Sequence, residues 1–119
     1  MKRGGQLRPV SLKRLREKPA RDAVIEEVVF RDGPGCYAFR QINARYQVAV
    51  QLGWPLTCWH PTSGRLDAHE IVPRSTWPGG HLVASNVRMV CRRHHEWIDR
   101  HLITAATLGL HGYSWERDG

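Results

Sequence analysis

The sequence predicts an α+β domain, and three observations carry that prediction. Residues 66–101 read as strand, long loop, strand, helix. Upstream, Ala20 to Phe30 reads as a separate helix. Histidines and cysteines crowd between Cys58 and His95, so a small unit carries dense ligand chemistry. At 119 residues the chain has room for one ordinary domain. Apolar residues make up 41% and charged residues 24%, which suits a folded, soluble body rather than a disordered one. No stretch approaches the ~18–20 apolar residues of a membrane span. The basic start runs into Gly4, Gly5 and Gln6 rather than an apolar segment, which excludes a secretory signal. Three cysteines are too few and too scattered for a disulfide framework. The expectation is a cytoplasmic protein with thiols free for metal.

Residues 1–19 form a basic arm, ahead of a single domain over 20–119. The net charge is +7, and residues 1–22 hold eight basic side chains against Glu17 and Asp22, a local +6. Either the arm meets a polyanion, with nucleic acid first in line, or it is a solvated tail. Ser11 caps a short helical turn that Pro19 interrupts. In the following helix Ala23, Val24, Val28 and Phe30 share an apolar face, with Glu26 and Glu27 outward. Asp32-Gly33-Pro34-Gly35 is a turn. Residues 37–52 fit a helix face through Tyr37, Ile42, Tyr46 and Val50, although 47–52 also alternate like a strand. Leu66 to Ile71 is the first strand and Val87 to Val90 the second. Pro78, Gly79 and Gly80 mark the loop between them. Arg92 to about His101 is a helix. In the tail, Leu108, Leu110, Tyr113 and Trp115 pack back onto it.

Cys58-Trp59-His60 and Cys91-Arg92-Arg93-His94 have ligand-like spacing. His69 and Glu70 are an adjacent imidazole and carboxylate at the end of a strand. His95 and Asp99, four apart, share a helix face. His94 and His95 point about 100° apart on a helix, so one can face a structural metal while the other faces a different site. That geometry predicts two sites, one structural and one catalytic. The five tryptophans and His81, His101 and His111 read as packing, surface or supporting residues. Trp77, in the loop, is also a candidate DNA contact.

The run Leu66-Asp67-Ala68-His69-Glu70-Ile71-Val72-Pro73-Arg74-Ser75, then Gly79-Gly80, then Asn86 through Ile98 resembles an HNH nuclease motif. The step from Asn86 to Cys91 to His95 is similar to the family's Asn–Leu–x–x–Leu–Cys–x–x–Cys–His pattern. The resemblance covers residues 58–101. The basic arm and the closing Leu-Gly-Leu also resemble small phage-encoded members. The resemblance implies a ββα-metal core with a zinc-stabilised surround, and metal-dependent hydrolysis of DNA phosphodiesters. Mg²⁺ or Mn²⁺ is the expected catalytic metal, and imidazole ligands also admit Ni²⁺ or Zn²⁺. Asn86 would hold the loop and His95 would ligate the metal.

The chain departs from the pattern at the first position. Glu70 stands where the family places its general-base His, and His69 stands in the ligand slot. Either His69 ligates and Glu70 is the base, or the roles are swapped, or the site cuts nothing. A His near neutrality suits a base better than a solvated Glu of pKa ~4.3. Asp99 is either a second helix ligand or an exposed acid paired with Arg92 or Arg100. The family also holds zinc on Cys-x-x-Cys knuckles. Here the set would be Cys36, Cys58, Cys91 and His94, with His60 the substitute if Cys36 is only a buried apolar residue. Arg74, Arg88, Arg92 and Arg93 flank the site as phosphate contacts or solvated charges. DNA is the implied partner, and a terminase or other DNA-processing machine is implied by analogy alone. The alternative is a zinc-stabilised nucleic-acid-binding module with degenerate or partner-dependent cleavage.

Overall fold

A computed structural model describes residues 11–58 and 66–113. The arm's first ten residues, Trp59, His60 and Trp115 lie outside the described residues. The elements run α1 (Leu12–Asp32), α2 (Tyr37–Ala44), α3 (Tyr46–Gln51), β1 (Asp67–Glu70), β2 (Val87–Val90), α4 (Arg92–Arg100) and α5 (Leu102–Thr107). Two 3-10 turns, Gly80–Leu82 and Ala84–Asn86, shape the loop between the strands. The architecture is α+β: a two-stranded antiparallel sheet between α1 and the remaining helices. No helix among the described residues is long and apolar enough to cross a membrane.

The first helix is longer than the sequence predicts. It runs through Pro19 and starts at Ser11, whose hydroxyl accepts from the Arg14 amide at 3.1 Å. Proline removes one helix hydrogen bond, but nearly all of residues 11–20 are solvent-exposed, where water can take the partnerless carbonyl. Further along, Val24 and Val28 are buried against Val87, with Ala68 and Met89 alongside. Ala23 and Phe30 do not join them. Ala23 is exposed and Phe30 is 91% exposed, because the buried stripe is only wide enough for positions four apart. Polar contacts complete the docking: the Arg31 guanidinium donates to the carbonyls of Ala84 and Val87, both at 2.9 Å.

Residues 37–52 form two short helices broken at Arg45. Together with α4 and α5 they enclose the larger core, including Ile42, Trp54, Val90, Ile98, Leu108 and Leu110. The strand pairing sets Asp67 opposite Val90 and Glu70 opposite Val87. The helix expected over Arg92 to about His101 is α4, capped at His101, and the tail begins with a further helix, α5. Leu108 and Leu110 pack back into the core as expected, but Tyr113 is 60% exposed.

Candidate metal centres and cleft

Alternation along β1 divides its side chains between two environments. Ala68 packs beside Val24, Val28 and Val87, and Glu70 reaches Arg21 of α1 at 3.6 Å. Asp67 and His69 turn the other way, to His95 of α4. The side chains of His69 and Glu70 therefore leave the strand on opposite faces. His69, His95 and Asp99 each bring a ligand atom within 4.8 Å of the others. Glu70 is instead clasped by Arg74, whose Nε lies 3.1 and 3.0 Å from the two carboxylate oxygens and whose Nη2 lies 3.0 Å away. Both lie on a cleft of about 490 Å³ lined also by Pro73, Leu102 and His111.

The buried His69 is held in one tautomer. Its Nε2–H donates to the Leu110 carbonyl at 2.6 Å, which leaves Nδ1 with a free lone pair. Burial pushes its pKa below the usual histidine range, more than the bond to Leu110 raises it, so the ring is neutral at pH 7. The His95 Nδ1 lies 3.1 Å from Asp67 Oδ2, so that nitrogen is engaged and Nε2 is the one available to a cation. Asn86 is buried at the loop's end. Its Oδ1 accepts from the Val72 amide at 2.9 Å, and its Nδ2 donates to the carbonyls of Val72 and Gly80 at 3.0 and 3.2 Å. One amide thus ties the exit from β1 to the Gly80 turn. Gly80 is required there, since a Cβ would sit 2.7 Å from Asn86 Nδ2 and 3.0 Å from the Trp77 ring.

The second centre lies in the larger core. Cys36, Cys58, Cys91 and His94 bring their ligand atoms within 4.8 Å of one another, a Cys₃His set that could hold a metal such as zinc. The His94 Nδ1 lies 3.5, 3.7 and 3.1 Å from the sulfurs of Cys36, Cys58 and Cys91. A tetrahedral zinc with ordinary bond lengths needs sulfur–nitrogen edges of about 3.6 Å. The His94 Nε2–H donates to the Pro55 carbonyl at 2.8 Å, which aims the Nδ1 lone pair at the sulfurs. Backbone amides face two of those sulfurs: Cys91 N–H on Cys36 Sγ at 3.2 Å and His94 N–H on Cys91 Sγ at 3.4 Å. Such bonds favour thiolates. Without a cation, burial pushes the Cys36 and Cys58 thiols up and the His94 imidazole down. Cys36 is both a core residue and a member of the set; α2 and α3 form the excursion that returns the chain to Cys58.

The four flanking arginines have inward partners. Arg74 holds Glu70, and Arg92 lies 3.1 Å from Asp67. Arg93 donates to the Thr57 hydroxyl at 2.7 Å. Arg88 grips Asp32 at 2.7 Å and covers the Tyr37 ring at 4.1 Å, so it braces α1. His81 is buried, not on the surface, with Nε2 2.8 Å from Glu17. The sequence reading also missed Asp67. Its place two residues before His69, on the same strand face, is the signal that could have found it. His111, read as peripheral, lines the cleft. Comparison with family models, curated proteins and solved structures finds no match to this chain.

Proposed function

We propose that this protein is a metal-dependent endonuclease of the HNH kind, with a ββα-metal core and a structural zinc. The convergence of His69, His95 and Asp99 on an open cleft carries the reading. The order β1, braced loop, β2, α4 supports it, since the chemistry needs a base on a strand and ligands on the helix. His95 Nε2 and the Asp99 carboxylate would hold the catalytic cation, Mg²⁺ or Mn²⁺. When bound, it neutralises charge on the phosphate and the departing oxygen.

The protein's own groups supply the rest. His69 Nδ1 takes a proton from the water whose oxygen attacks phosphorus. The phosphorus–oxygen bond to the departing sugar breaks, and that oxygen takes a proton from solvent. The bond from Leu110 keeps His69 in the accepting tautomer, and Asp67 orients His95. Glu70 has its carboxylate occupied by Arg74, so the base role goes to His69 rather than to Glu70. The thiols of the second centre suit a reducing compartment, the cytoplasm, and a DNA-processing partner remains an analogy. Plasmid nicking tests the proposal. Wild type should nick with Mg²⁺ or Mn²⁺ and stop with EDTA, and His69→Ala should lose about 100-fold or more. Folded wild type that binds DNA but never nicks it would leave the binding-module alternative in its place.

A further inference from the structure

A second cleft, of about 430 Å³, lies between the first half of α1 and the loop after β1. Arg14, Lys18, Arg21 and Arg74 line it, against one carboxylate, Glu17. Arg74 also lines the cleft of His69 and His95, so the two clefts meet at its side chain. Unbroken passage of α1 through Pro19 creates this wall, because Arg14 and Lys18 lie on the turns before Pro19 and Arg21 just after it.

The carboxylates near this wall are already committed. Glu17 is held by His81 at 2.8 Å. Glu70 is shared by Arg74 and, at 3.6 Å, Arg21. Asp22 pairs with Lys18 at 2.7 Å on the exposed surface, where such a pair is worth little and yields to a stronger anion. Two guanidiniums thus share the Glu70 carboxylate, while Arg14 has no ion-pair partner among the described residues. Arg21 is also pinned by donating to the His81 carbonyl. Its pKa is lowered by burial and by the neighbouring Arg74, against the pull of Glu70. Guanidiniums held together in this way suit the repeated charges of a phosphodiester chain.

From these charges we infer that the α1 cleft binds the DNA backbone next to the scissile phosphate, with Arg74 as the junction between the two clefts. The inference rests on the nuclease reading, because it gives the bound strand a direction away from His69. The phosphate contacts are Arg14, Lys18, Arg21 and Arg74.

The test measures binding of a short labelled DNA duplex in EDTA, across a salt series, with nicking followed separately in Mn²⁺. The variants are Arg14→Gln/Lys18→Gln in the cleft and Lys13→Gln/Arg16→Gln on the same helix but off the cleft lining. Both pairs remove the same charge, and all four side chains are exposed, so circular dichroism should match wild type. The cleft pair should bind about tenfold more weakly, with the log–log salt slope reduced by roughly two. The control pair should change affinity by no more than about twofold. Equal losses in both pairs, or no loss in the cleft pair, would overturn the inference and leave the nuclease reading intact. Cleft-dependent binding without any nicking would remove the nuclease reading and, with it, the placement beside a scissile phosphate, leaving only a DNA-binding cleft. Wild type that binds no DNA would overturn both.

Discussion

Two ligand clusters meet on one helix, yet they differ in almost every physical respect. The Cys₃His centre draws on Cys36, Cys58, Cys91 and His94, three of them buried, and every ligand atom is turned inward. The His69/His95/Asp99 centre grades from a buried imidazole to an exposed carboxylate and opens on a cleft. His94 and His95 are neighbours in sequence, but the helical rotation between them sends one into the core and the other to the cleft. A closed four-ligand set suits holding chain segments together, and an open set suits holding something that must leave. This contrast underlies the proposal that the first centre serves stability and the second serves chemistry.

The largest expected effect falls on the closed centre. Cys91→Ser removes a thiol of the candidate metal site, the α4 cap and a core side chain together. Zinc binding at such sites is worth about 10 kcal/mol or more, so the variant should lose zinc and cooperative folding together. Unfolding by a strong chelator should mimic it. A zinc-free wild type with a normal melting transition would break the comparison at its first term.

A smaller effect sharpens the second term. Asp67→Asn leaves the His95 ring in place but weakens the partner on its Nδ1. Affinity of the open centre for Mn²⁺ should fall about 10- to 100-fold, with zinc content and melting temperature unchanged. Isothermal titration with Mn²⁺ would read it, and loss of zinc as well would mean that the centres are not independent.

The smallest effect concerns the loop between them. Gly80→Ala forces a methyl group against Asn86 and Trp77 and should cost about 1–3 kcal/mol. At Gly79 nothing lies within 4 Å of an added Cβ, so Gly79→Ala should stay within about 0.5 kcal/mol of wild type. Chemical denaturation compares the pair, and equal costs would mean that the contact between Gly80 and Asn86 does not brace the loop.

Much of this pattern was legible locally. The alternation at 87–90, the turn at Asp32–Gly35 and the spacing from Cys91 to His94 each rest on neighbours within a few residues. The coarse α+β order and the joining of Cys91 with His94 followed from them. What failed to show depends on distant partners. Pro19 reads as a break because its missing amide is local, whereas the exposure that tolerates it is set by the whole fold. Phe30 matches the apolar period, but only Val24 and Val28 meet the sheet. His81 has no local mark of burial; its partner Glu17 is 64 residues away. Glu70 and His69 look like a pair in sequence, and only the strand's alternation and the reach of Arg74 separate them.

The most direct test of the division between the two centres is plasmid nicking in Mn²⁺ by His95→Ala, using protein shown to retain one equivalent of zinc. The expected result is a folded, zinc-loaded protein with nicking reduced about 100-fold or more, against an active wild type. Wild-type nicking undiminished in that zinc-loaded variant would contradict it, because the open centre would then have no part in the chemistry.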